Sequence, residues 1–291
     1  MTWDLITFKK DIDVLGLYTF FYYEHSKDFY FAGERHDFWE MVYVDSGEIS
    51  VIADNLGYMI HQGEVIFHKP MEFHALASNK KDPHNIMIVT FLVKSDVMDF
   101  FENKIFTLDS KHKKILSLLL EEAQKVFGNI SNIPINRNTL KLENNNIGSQ
   151  QLIIGHLEQF LISLMHSNQS NERSGRKSHS AKKNVENALV DSVEMYLLDN
   201  VYESITLQDI CNKFNISKSY ICQLFKEETD KSIIDYFINL KIIEAKKLIR
   251  IGDLNFTQIS EKLCYTSIHN FTRSFKNKTG ISPSNYEKSV K

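Results

Sequence analysis

Leu207-Gln208-Asp209-Ile210-Cys211-Asn212-Lys213-Phe214, Ile221-Cys222-Gln223-Leu224-Phe225-Lys226, Thr229 and Ser232 form one block of sequence. Phe256-Thr257-Gln258-Ile259-Ser260-Glu261-Lys262-Leu263, Phe271-Thr272-Arg273-Ser274-Phe275-Lys276, Thr279 and Ser282 repeat it. The offset is 49 residues in the first stretch and 50 after it. Such a period marks one supersecondary unit used twice. Thr206 with Asp209 has the spacing of a capping box, and Asn255 with Gln258 repeats it. Each predicts a short helix. Asn215-Ile216 supplies a turn, and Ser217 is placed to cap the helix that follows.

The grammar is that of a helix-turn-helix. In the first copy Ile221, Leu224 and Phe225 fall inward at i, i+3, i+4, leaving Ser219, Cys222, Gln223 and Lys226 outward. In the second, Phe271 and Phe275 fall inward, leaving Ile268, His269, Thr272, Arg273 and Lys276 outward. A helix presented this way enters the major groove, where side chains meet base edges. Arg273 can donate two hydrogen bonds to a guanine, and Gln223 can pair with an adenine. Thr272 and Ile268 can touch a thymine methyl. Lys226 and Lys276 suit phosphates, which fix register without reading sequence. A helix from about Ile233 to Ile251 joins the copies and carries Lys241, Lys246, Lys247 and Arg250, expected to face phosphates. Two motifs so joined can address major-groove segments about 34 Å apart.

Charge supports this division. The chain has 291 residues and a formal charge of −3, yet Ile205–Lys291 holds 14 Lys and Arg against 9 Asp and Glu. A basic third on an acidic body predicts a phosphate-bearing partner for that third, namely double-stranded DNA. Hydrophobic residues at 43% and charged residues at 24% exclude disorder as the main state. No apolar run reaches the roughly 18 residues of a membrane span, and the N-terminus lacks a signal-peptide core, so a cytoplasmic location without membrane contact is expected. Cys211, Cys222 and Cys264 are too few and too scattered for a disulfide framework.

Residues 1–108 read as strands. Leu17–Tyr23, Glu40–Val44, Ile49–Ile52, Val65–Phe67 and Ile86–Phe91 are β-branched or aromatic runs. Asp45-Ser46-Gly47, Asp54-Asn55-Leu56-Gly57 and Gln62-Gly63-Glu64 punctuate them as turns. Residues 109–166 change to a helical period, with a stripe of Leu152, Ile153, His156, Leu157, Phe160, Leu161, Leu164 and Met165. That stripe serves equally for packing on its own domain or for pairing with a second subunit. Residues 167–184 hold no large apolar side chain and are expected to form a flexible linker. Residues 185–291 are the helical DNA-binding part. The fold class is therefore α+β in two domains, an N-terminal barrel with a helical segment and a C-terminal all-α tandem helix-turn-helix.

Val185 to Ser289 resembles the DNA-binding domain of the AraC/XylS family of transcription regulators. Ile205–Ile210, Ser217–Lys226, Ala245–Leu248 and the tail Phe271–Tyr286 carry the likeness. The resemblance implies base reading by Ser219, Cys222 and Gln223 in the first motif and by Ile268, His269, Thr272 and Arg273 in the second. Asp230 and Cys264 stand where the family usually has glycine, and Lys241 where arginine is common.

Gly33–Val44 with Gly47, and Gly63–His74, resemble the cupin-like sensor of such regulators, with Glu40 seven residues before Gly47. Cupin enzymes hold a metal through histidines and a glutamate. Here Glu34 replaces the first histidine, so His36, Glu40, His68 and His74 are expected to contact an organic effector, with no metal, cofactor or catalytic residue assigned. Phe38, Trp39, Tyr43, Phe67 and Phe73 are candidates for pocket walls, although lone aromatics more often sit in a core. The resemblance implies a homodimeric, non-enzymatic, effector-controlled regulator that acts with RNA polymerase; sugars are a common effector class. The competing reading is a metal-dependent cupin enzyme fused to a DNA-binding domain, and a third is an empty barrel that only dimerises.

Overall fold

The computed structural model describes residues 3–131, 140–144, 146–167 and 170–290. The chain divides into two compact units, Met1–Val185 and Glu186–Lys291.

In the first unit the strands are β1 (Asp13–Ser26), β2 (Tyr30–Glu34), β3 (Trp39–Ser46), β4 (Glu48–Ala53), β5 (Leu56–His61), β6 (Glu64–His68), β7 (His74–Ala77), β8 (His84–Lys94), β9 (Lys104–Thr107) and β10 (Ser170–Glu172). They form a six-stranded sheet in the order β1-β8-β3-β6-β9-β10 and a four-stranded sheet in the order β2-β7-β4-β5. All paired strands are antiparallel. The five strand runs expected from sequence lie within β1, β3, β4, β6 and β8. The turn glycines Gly47 and Gly63 have φ of 76° and 79°, a region that favours glycine.

Strand alternation decides what each side chain meets. On β3, Val42 and Val44 join Val51, Ile66, Leu76 and Ile88 in the core between the sheets. Trp39, Met41 and Tyr43 point the other way, into a second core with Phe20, Phe67 and Phe91. Two helices cover that outer core, α1 (Ser110–Phe127) and α2 (Ser149–Met165). Ile115, Leu116 and Leu119 of α1 and Ile153, Leu157, Phe160, Leu161 and Leu164 of α2 are buried there. Each such side chain contributes about 1.5–3 kcal/mol of burial. Most of the α2 stripe therefore serves its own unit. Of the candidate pocket walls, Trp39, Tyr43 and Phe67 belong to this outer core, the commoner place for lone aromatics.

The segment expected as a flexible linker, 167–184, carries ordered structure in its described part. β10 pairs with β9, a 3₁₀ turn spans Arg173–Arg176, and α3 (His179–Asp199) begins before the expected boundary. Arg173 is 2% exposed. Its Nη1 donates to Glu72 Oε1 at 2.7 Å, and Arg176 Nη1 donates to Glu64 Oε1 at 2.6 Å. Paired charges do here what apolar side chains would otherwise do. The division between the units falls within α3.

The second unit continues with α4 (Leu207–Phe214), α5 (Lys218–Thr229), α6 (Ile233–Ile251), α7 (Phe256–Lys262), α8 (Ile268–Thr279) and α9 (Pro283–Val290). Thr206 and Asn255 close reciprocal capping boxes with Asp209 and Gln258. Ser217 and Ser267 cap α5 and α8. Ile259, Leu263, Phe271 and Phe275 pack on Ile242, Ala245 and Ile249 of α6. Asp230 and Cys264 have φ of 56° and 53°, the left-handed region that favours glycine.

Candidate functional site

Register builds the barrel site from both sheets. Glu40 on β3 lies between His68 of β6 and Thr90 of β8, while His74 on β7 pairs with Glu34 of β2. A cavity of about 260 Å³ opens beside them, lined by Tyr18, Thr19, Phe21, Phe31, Glu34, His36, Phe38, Glu40, Leu76, Ile88 and Thr90. His36 stacks on Phe38 and Phe38 on Tyr18, each with ring centroids 3.9 Å apart.

Of the four residues expected to meet an effector, His36 and Glu40 line this cavity. His74 is fully buried behind them, its Nε2 3.5 Å from Glu40 Oε2. His36 Nε2 lies 3.6 Å from the same oxygen. His68 is not in the lining; its Nδ1 is 2.7 Å from Glu72 Oε2, and its ring stacks on His74 at 4.6 Å. Phe38 is the one expected wall residue that lines the cavity. Tyr18, Thr19 and Phe21 escape a sequence reading because a register shift between Leu17 and Thr19 breaks the alternation of β1.

The electrostatics follow from this packing. Burial pushes Glu40 up, but His74, His36 and His68 around it hold its carboxyl well below the usual range. Burial works to lower His74, yet the Glu40 carboxylate outweighs it and the imidazole is pushed up to about 9. Burial prevails at His68, pulling it down to about 4 despite the bond to Glu72. Glu34 is raised by burial and then by Glu40.

The same residues fit a divalent transition metal. His36 Nδ1 faces the Phe38 carbonyl at 2.9 Å, and His74 Nδ1 faces the Glu72 carbonyl at 3.1 Å. A carbonyl oxygen only accepts, so Nδ1 carries the proton and Nε2 offers its lone pair when the ring is neutral. Both Nε2 atoms are buried without a hydrogen-bond partner. Ligand atoms of Glu34, His36, Glu40 and His74 all lie within 4.8 Å of one another. Two imidazoles and two carboxylates, with each imidazole anchored through its far nitrogen, are a donor set for zinc, iron or nickel. Glu34, which the sequence places where the first histidine of the usual pair would stand, contributes one of the four ligand atoms.

In the helical unit the buried faces match the expectation. Ile221, Leu224, Phe225, Phe271 and Phe275 are buried. Ser219, Gln223, Lys226, His269, Arg273 and Lys276 are exposed, and Cys222, Ile268 and Thr272 half-buried. Gln223 Nε2 donates to Glu227 at 2.8 Å and Arg273 Nη2 to Asn270 at 3.3 Å, both contacts on the exposed surface. Lys241 departs from expectation. It is 6% exposed, and its Nζ donates to the Glu203 and Leu263 carbonyls at 2.8 and 2.6 Å, so it ties the two motifs together and does not reach a phosphate.

Residues 210–289 match the helix-turn-helix domain family. The C-terminal unit is an AraC-type helix-turn-helix domain. Two regulators resemble the chain over most of its length. One is YdiP of Escherichia coli (strain K12), an HTH-type transcriptional regulator 26% identical over 87% of this chain and 79% of its own. The other is YfiF of Bacillus subtilis (strain 168), likewise an HTH-type transcriptional regulator, 25% identical over 86% of this chain and 76% of its own. Among solved structures, the C-terminal domain of AraT, a response regulator from Geobacillus stearothermophilus, is 24% identical over 35% of this chain and 84% of its own, with a TM-score of 0.34. In chain order the AraC-type domain follows a sheet-rich unit. No helix among the described residues is long and apolar enough to cross a membrane.

Proposed function

We infer that the chain is a sequence-specific, cytoplasmic transcription regulator of the AraC/XylS type, controlled by a small molecule held in the barrel. The observation that carries this reading is the pair of equivalent helices α5 and α8, each capped by serine and each presenting polar side chains on its exposed face. Nineteen-residue α6 joins the two motifs and is about 28 Å long. That length suits two major-groove segments one helical turn apart. Ser219, Cys222, Gln223, Ile268, His269, Thr272 and Arg273 read bases, while Lys226 and Lys276 hold phosphates.

The effector cavity has aromatic walls of Tyr18, Phe21, Phe31 and Phe38 and polar groups at Thr19, Glu34, His36, Glu40 and Thr90. Such a lining suits a small polar metabolite with an apolar face, sugars included. An effector acts only by binding two arrangements of the protein unequally. Leu118, Leu152 and Ile162 remain exposed on α1 and α2 and support pairing of two copies there. A regulator of this type meets RNA polymerase at its promoter.

Recovery of genomic fragments bound by the purified full chain, at stated salt, tests the reading. A shared motif among the recovered fragments is expected. Fragments with no common motif, all lost at moderate salt, overturn sequence-specific binding.

A further inference from the structure

Glu72 touches both the barrel cluster and the segment that leads into α3. Its backbone oxygen accepts from His74 Nδ1 at 3.1 Å. Its Oε2 accepts from His68 Nδ1 at 2.7 Å, and its Oε1 accepts from Arg173 Nη1 at 2.7 Å. Arg173 Nη2 also donates to the Phe67 carbonyl, one residue before His68. Glu72 and Arg173 are 6% and 2% exposed, so this ion pair is shielded from water and from competing partners. Around it the backbone is fixed at both ends. Arg173 N–H donates to the Asn103 carbonyl at 2.8 Å, and Ser178 N–H to the Gly57 carbonyl at 2.7 Å, directly before α3.

We propose that a divalent cation bound by Glu34, His36, Glu40 and His74 tightens the seat of residues 170–178 through Glu72, so that cluster occupancy sets how firmly the chain entering α3 is held. This rests on the barrel being the sensory part. A cation on His74 Nε2 fixes the ring's orientation, with the opposite N–H held on the Glu72 carbonyl. Glu72 is then held more rigidly, and with it the carboxylate that seats Arg173. Linkage makes the effect reciprocal, so loosening Arg173 weakens cation binding by the same factor.

The test is hydrogen exchange of the full chain with and without Co²⁺, whose visible absorption reports occupancy. Saturable Co²⁺ binding with exchange at Arg173 and Ser178 slowed about fivefold or more is expected. Glu72→Gln is expected to bind Co²⁺ without that slowing. Arg173→Lys, a milder change, is expected to bind Co²⁺ more weakly than the parent. Co²⁺ bound with exchange at 170–178 unchanged overturns the coupling, and so does slowing that persists in Glu72→Gln. Failure of Co²⁺ to bind overturns the proposal together with the metal fit. None of these results touches the DNA-binding reading, which the fragment recovery decides separately.

Discussion

Raising the pH from 6.5 to 9 should destabilise the N-terminal unit, and lowering it from 6.5 toward 4 should do the same for a different reason. His74 is raised from 6.5 to about 9 in the fold, because Glu40 outweighs the cost of burial. Its stabilisation is complete below 6.5 and is lost as pH climbs through 9. That displacement corresponds to about 3 kcal/mol. His68 moves the opposite way, to about 4, through burial. The unfolded chain accepts a proton there that the folded one resists, so stability falls by a further amount of about 3 kcal/mol as pH drops from 6.5 to 4. Glu40 and Glu72, both held low against burial by their histidine partners, deepen the loss below 4.5. Glu34, raised by burial and then by Glu40, works the other way and trims that limb.

The assay is urea unfolding followed by tryptophan fluorescence. The chain has two tryptophans, Trp3 and Trp39, both in the first unit. Trp3 is 90% exposed and Trp39 7%, so the change in signal comes from Trp39. A midpoint maximum near pH 6.5 is expected, with a fall of about 1–2 M urea by pH 9 for an m-value of about 2 kcal/mol/M. His74→Gln should remove the alkaline limb and leave the acid one. A flat profile between 6.5 and 9, or an alkaline limb that survives in His74→Gln, refutes the assignment of the charged pair.

Arg273→Ala should cost about 1–3 kcal/mol of discrimination between the preferred site and a single-base variant, read by fluorescence anisotropy; equal discrimination removes α8 as a reading helix. Lys276→Ala should weaken all duplexes alike and lower the salt slope by about one, and a base-dependent loss contradicts its phosphate role. Lys241→Met leaves the buried Leu263 carbonyl without its donor and should cost the helical unit about 2–3 kcal/mol in thermal unfolding followed by far-UV circular dichroism; a change under about 0.5 kcal/mol contradicts the tie. Gly280→Ala meets no atom within 4 Å but sits at φ +83°, so the penalty is the backbone's, about 1–2 kcal/mol, and an unchanged melting temperature refutes it.

What sequence conveys here is local. Capping pairs and 3.6-residue spacing lie within a few residues of each other, so α4 through α8 and their outward faces are legible in the sequence. The barrel strands are legible where a β-branched or aromatic run marks them, as in β1, β3, β4, β6 and β8, and not in the short β2, β7 and β9. The order of 170–184 is hidden in the sequence because its stabilising partners, Glu72 and Glu64, lie 101 and 112 residues from Arg173 and Arg176. Counting apolar side chains misses a segment anchored by arginine. Lys241 misleads for the same reason, since its acceptors are distant carbonyls and helical spacing alone says nothing of them. In the barrel the motifs point to His36, Glu40 and His74 and add His68, whose ring lies against His74 but outside the cavity lining. Which neighbour takes its Nδ1 depends on Glu72, a residue that no motif singles out.

The most direct test of the account is a nuclease footprint of the full chain on one recovered fragment, with and without five base pairs inserted mid-site. Two protected major-groove segments about one helical turn apart per chain are expected, with loss of binding on insertion, because α6 fixes the spacing of α5 and α8. A single protected segment, or full affinity for the inserted site, contradicts tandem reading.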